Sequence, residues 1–192
     1  MSALLVIGGA GAVVDEFVAG GATHVAPATK EDVRAAVTGC TAEAFVIIAM
    51  PVTQGTAGGI DTDALARIVE QGVTLPAVAI RSISERGRSA RVAVICPACA
   101  LLPDHLDGAR SVVAAGLAML VEIATTLPGV KINLIAVADN VPAAEVARVV
   151  ETVLDGDTPS LNGATIRLDG GRDAVLAAET RTAETNELGG GR

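Results

Sequence analysis

Cys96-Pro97-Ala98-Cys99 places two thiols at the spacing of a redox dithiol, directly after an apolar run. A dithiol of that kind exchanges best when a helix N-terminus stabilises the thiolate. The following Ala100-Leu101-Leu102-Pro103-Asp104 does not open such a helix. The two cysteines are therefore expected to be small, apolar-tolerant side chains at a strand-to-loop transition, and a redox role stands as an alternative. Adding Cys40, His24 and His105 completes a list of zinc-binding side chains, but there is one close pair and no second pair at ligand spacing, so no metal is expected. His105 is most simply a loop histidine. Asp61 and Asp63 flank Thr62 just before an apolar helical pattern, which suits helix N-capping better than paired-carboxylate catalysis. Gly8-Gly9-Ala10-Gly11-Ala12 follows the first apolar run, where glycines let a phosphate approach backbone N–H groups. A tight turn accounts for the same glycines.

These residues sit in a regular alternation. Apolar β-type runs at Ala3-Ile7, Thr23-Ala26, Ala44-Ala49, Arg91-Cys96, Lys131-Val137 and Thr165-Leu168 are separated by helical patterns near Val13-Ala19, Lys30-Val37, Thr62-Arg86, Asp107-Leu127 and Pro142-Leu154. Strands that are apolar throughout, alternating with helices, predict an α/β fold: a doubly wound, Rossmann-like parallel sheet covered on both faces. Residues 1–172 are expected to form one domain, and the polar, glycine-ended stretch 173–192 a flexible tail.

Composition narrows the function classes. At 192 residues and 51% hydrophobic, the chain can bury one substantial core. The net charge of −8 and only two aromatics, Phe17 and Phe45, argue against a nucleic-acid partner. The first residues lack a basic leader region, and the run Val112 to Val121 ends at Glu122, too short to span a bilayer. No membrane association and a cytoplasmic location are expected. The helix near Asp107-Leu127 is apolar around almost its whole circumference, so one face should pack on the sheet and the other on a partner.

The second half of the chain resembles the short-chain dehydrogenases/reductases. Gly116-Leu117 is similar to the segment that follows the family's catalytic lysine, which places Ala114 at the lysine and Arg110 at the tyrosine. The same ungapped register places Pro97 at the serine. Leu65-Ala66-Arg67-Ile68-Val69-Glu70-Gln71-Gly72-Val73 is similar to the segment ending in the catalytic asparagine, which falls on Gly72. Val130-Lys131-Ile132-Asn133-Leu134 resembles the strand after the catalytic helix, and Asn162 to Gly171 the last strand with its turns.

The resemblance implies that all four catalytic positions, Gly72, Pro97, Arg110 and Ala114, are vacant. The family's reaction needs a phenol to exchange the proton, a lysine cation beside it and a hydroxyl donor. There is no tyrosine in the sequence. A guanidinium stays protonated and cannot serve as base, and proline has no side-chain donor. The glycine turn is shorter than the family's loop, and Ile48-Ala49-Met50-Pro51 replaces its Asn-Asn-Ala-Gly segment beside the ribose. Ala136-Val137-Ala138-Asp139-Asn140 runs directly toward the next helix, where the family has a long substrate loop. No cofactor is therefore expected in this chain. The resemblance implies a non-catalytic subunit that forms a hetero-oligomer, a heterotetramer, with a catalytic homologue that carries NAD and acts on a hydroxyacyl-CoA. A module binding a nucleotide or acyl-CoA without chemistry is the alternative from another class.

Overall fold

The computed structural model describes residues 3–9, 11–49, 62–98, 108–155 and 161–168. The elements follow the predicted alternation: β1 (Leu4–Gly8), α1 (Ala12–Ala19), β2 (Thr23–Val25), α2 (Lys30–Gly39), β3 (Ala44–Ile48), α3 (Thr62–Val69), a π-helical turn (Glu70–Thr74), α4 (Leu75–Glu85), β4 (Ala90–Pro97), α5 (Gly108–Ala124), β5 (Val130–Val137), α6 (Ala143–Leu154) and β6 (Thr165–Leu168). The strands form one sheet in the order β2-β1-β3-β4-β5-β6, and every pairing is parallel. Chain direction across the sheet reverses between β1 and β3. The usual dinucleotide-binding order has two further strands on the β1 side of that point; among the described residues, β2 stands there alone.

Period-two strands send alternate residues to two helical layers. On one face Leu5, Phe45, Ile47, Val92, Val94, Ile132 and Leu134 meet Val33 and Val37 of α2, Ile80 and Ile83 of α4, and Val113, Leu117 and Val121 of α5. On the other, Val6, Val46, Ile95 and Ile135 meet Val14 and Phe17 of α1 and Val146 and Val150 of α6. Spacings of three and four put each helical set on one stripe, and each buried Val, Leu, Ile or Phe contributes about 1.5–3 kcal/mol. Arg86 closes the α4 end: its guanidinium donates to the carbonyls of Ala42 and Cys40 and lies over Phe45.

Two features refine the sequence reading. The helix expected near Thr62-Arg86 is broken by the π turn, in which Gly72 is buried. A Cβ built on Gly72 would lie 2.6 and 2.7 Å from the two methyls of Val113, and one on Gly116 would lie 3.1 Å from Val73. Reciprocal glycines thus let the π turn and α5 approach closely. The second feature concerns α5, which this chain covers on one stripe and leaves open on another. Val113, Leu117, Val121 and Ala124 are buried, whereas Val112, Met119 and Ile123 are 50%, 61% and 60% exposed. The sheet and the π turn cover one stripe, and the helical period turns the other outward.

At the far edge, β6 is tied on by two asparagines. Asn133 Oδ1 accepts from the N–H of Ala164 at 3.0 Å, and its Nδ2 donates to the Leu161 carbonyl at 3.3 Å. Asn162 Oδ1 accepts from the N–H of Ile132 at 3.0 Å. Gly163 makes the turn at φ +79°. The stretch 173–192 lies outside the described residues.

Candidate functional site

In open parallel sheets, ligands bind beyond the carboxyl ends of the strands, where the strand order reverses. Here that place is a crevice of about 200 Å³ lined by Ile7, Gly8, Gly9, Ala26, Pro27, Ile47, Ile48, Ala49, Gln71, Leu75 and Pro76. Gly8 is required there: at φ +148°, a Cβ on it would collide with the carbonyl oxygen of Ile48. Its role is the close passage of β1 past β3. His24, on β2, was named by the sequence only as a remote zinc candidate. Its Nε2 lies 3.0 Å from the carbonyl oxygens of both Gly8 and Gly9 and, as a donor, holds them.

A dinucleotide needs amides for its pyrophosphate and an acid for its ribose. The turn here is short, running from Gly8 to the start of α1 at Ala12. Asp15 stands in the first turn of α1, where it opposes a second anion. About 20 residues on, where the ribose acid would be, Ala26 and Pro27 line the crevice. The nearby Asp32 is engaged in the α2 capping box, accepting from the N–H groups of Ala28 and Thr29. Among the described residues, those around the crevice do not fit a dinucleotide.

The four positions assigned to chemistry by the resemblance fall as follows. Pro97 is the last residue of β4 and is buried. Gly72 is buried in the π turn against Val113. Arg110 and Ala114 lie in successive turns of α5. A π turn inside a helix often marks a functional site; at this one the space beside Gly72 is filled by valine methyls. Residues 138–142 join β5 to α6 directly, with the Ala138 N–H donating to the Leu168 carbonyl and the Val141 N–H to that of Ala138.

The other candidates do not gather. Cys96 is the last residue but one of β4 and has no exposed surface. Cys40 ends α2 and donates from Sγ to the Val37 carbonyl at 3.3 Å. Cys99, His105 and Asp61 lie outside the described residues. Asp63 is in the first turn of α3, one residue inside the helix start. Among the described residues, no three His, Cys, Asp or Glu side chains converge on a metal position, and no helix is long and apolar enough to cross a membrane.

No protein-family model matches the chain, and no curated protein does. Solved structures do. A Burkholderia thailandensis oxidoreductase of the short-chain dehydrogenase/reductase family is 15% identical, with 95% of this chain and 98% of that one covered at a TM-score of 0.76. The chain has the short-chain dehydrogenase/reductase fold. A short-chain type dehydrogenase/reductase from Mycobacterium ulcerans matches at 17% identity and a TM-score of 0.75, covering 88% of this chain and 89% of that one. BdcA, solved with NADPH, matches at 18% identity and a TM-score of 0.70, covering 88% and 93%. At these identities the dehydrogenase fold is shared while the side chains at its catalytic end are free to differ.

Proposed function

We propose that this chain is a degenerate short-chain dehydrogenase/reductase, a pseudoenzyme that acts as the structural subunit of an NAD-dependent oxidoreductase complex. Its partner is a catalytic homologue with the complete serine, tyrosine and lysine set, and the complex is a heterotetramer. The observation that carries the reading is the state of the catalytic end. Pro97, Arg110 and Ala114 offer no phenol, no lysine and no hydroxyl, and Val113 occupies the space an asparagine at Gly72 would need. NAD belongs to the partner, because the crevice here lacks both a phosphate cradle and a ribose acid. The substrate we assign to the complex is a hydroxyacyl-CoA, in aromatic degradation. The chain resembles in this the inactive subunit of the NAD-linked hydroxy(phenyl)methylsuccinyl-CoA dehydrogenase of anaerobic toluene degradation.

What this subunit contributes is a surface. The outward stripe Val112, Met119 and Ile123 on α5 is the apolar face that a homologue's helix would cover. The test of inactivity is calorimetry of the purified chain with NAD. No heat of binding is the expected result; micromolar binding would overturn the cofactor reading. The alternative of a nucleotide or acyl-CoA binding module is favoured by that second outcome.

A further inference from the structure

The outward stripe of α5 is apolar except for one carboxylate. At about 100° per residue, Val112, Ala115, Met119, Glu122 and Ile123 fall within one arc of roughly 100°, and all of them are exposed. Glu122 stands one turn beyond Met119 and next to Ile123, so a helix that covers those two side chains also reaches the carboxylate. Among the described residues, no lysine or arginine pairs with it. The other charge on α5, Arg110, lies three residues before Val113 and seven before Leu117, on the register of the buried stripe.

A second copy of this chain has no answer to that carboxylate. In a two-fold pair the same patch meets itself. With the helices parallel, Glu122 faces its own copy; with them antiparallel, it faces the Val112 to Ala115 end of the stripe. Neither arrangement offers a cation, and each copy brings a net charge of −8. Covering the stripe in that way would desolvate two carboxylates without partners, the arrangement that buried charges tolerate least. A helix of another chain is not so limited. A lysine or arginine opposite Glu122, with apolar residues over Met119 and Ile123, would draw the same carboxylate into a charge-assisted hydrogen bond. A single polar position in an otherwise apolar helix seam can choose partner and register.

We propose that Glu122 sets the partner choice of the α5 face: it bars a second copy of this chain and admits a helix of another chain that carries a lysine or arginine opposite it. This assignment rests on α5 being the assembly surface, as proposed above, and adds to it the chemistry of the partner.

Sedimentation equilibrium of the full-length chain tests the first half. The wild type should stay monomeric, whereas Glu122→Leu and Glu122→Gln should self-associate more tightly by about tenfold or more. Their circular dichroism should be unchanged, because the side chain is exposed. A wild type that dimerises as tightly as Glu122→Leu, or a Glu122→Leu chain that stays monomeric at the same concentrations, would overturn the proposal. For the second half, Glu122→Lys should weaken the complex with a homologue carrying the intact serine, tyrosine and lysine set by about tenfold or more. Added salt should loosen the wild-type complex and leave the Glu122→Leu dimer in place, a split that a purely apolar contact would not give. A complex that forms equally well with Glu122→Lys overturns the proposal and leaves the assembly reading standing. A homologue that binds no variant overturns the assembly reading, and the self-association result then decides whether Glu122 bars a second copy.

Discussion

A single glycine decides how the π turn packs on α5. Gly72 has no room for a side chain beside Val113, so Gly72→Ala should destabilise the chain by about 1–3 kcal/mol, as overpacking does. Val113→Ala in the same chain should recover part of that loss, a coupling that a double-mutant cycle in urea would read directly. Rebuilding the family set with Gly72→Asn, Pro97→Ser, Arg110→Tyr and Ala114→Lys should still give no turnover with NAD, because the cofactor turn and substrate loop would remain as they are. The residue types at these positions are read from the sequence alone, and the register that assigns them to the family's chemistry is that of the resemblance. Their packing was not: nothing in the residues around Gly72 announces a π turn or two valine methyls in van der Waals contact. His24 was missed for the same reason, because its partners are main-chain carbonyls some 16 positions away. Cys96 shows the reverse. It was read as a tolerant position, but with no exposed surface in β4 it leaves no room for a larger side chain, so Cys96→Leu should cost about 1–3 kcal/mol by thermal melting.

Elements were the most legible scale, because apolar runs and helical stripes are set by local period and both cores simply honour them. The tertiary ties between elements were not. Asn133 was recognised only as part of a similar strand, whereas its amide and that of Asn162 fasten the lead-in of β6 to β5. Asn133→Leu should therefore leave two main-chain groups without their partner, and hydrogen exchange in Thr165–Leu168 should rise well before the rest of the sheet opens. The start of α2 offers a pH-dependent counterpart. The Thr29 hydroxyl hydrogen bond, with the Thr29 and Ala28 N–H groups, holds the Asp32 carboxyl below its ordinary value of 3.8. A carboxyl lowered in the folded state stabilises above its unfolded value, and that contribution is lost as pH falls through the folded one. Asp32→Asn should accordingly weaken α2 at neutral pH and flatten its acid-side loss, as followed by amide exchange across Lys30–Gly39.

The whole molecule presents a six-stranded parallel sheet in the short-chain dehydrogenase/reductase fold, with an apolar stripe of α5 turned outward. Composition and periodicity reached the sheet because burial on both faces leaves strands apolar throughout. They also pointed to an unsatisfied helix. Which stripe of α5 is outward depends on where the π turn packs, and that is a tertiary fact. An unpaired carboxylate buried among apolar side chains is costly, so Met119→Asp should disrupt any complex built on that stripe while leaving the isolated chain folded. Light scattering coupled to size exclusion, after co-expression of the wild-type chain or Met119→Asp with a homologue carrying the intact serine, tyrosine and lysine set, tests the proposed role most directly. The expected result is one mixed species of defined stoichiometry for the wild type and two separate species for Met119→Asp. A wild-type chain that remains a soluble monomer and ignores the homologue at micromolar concentration would contradict it.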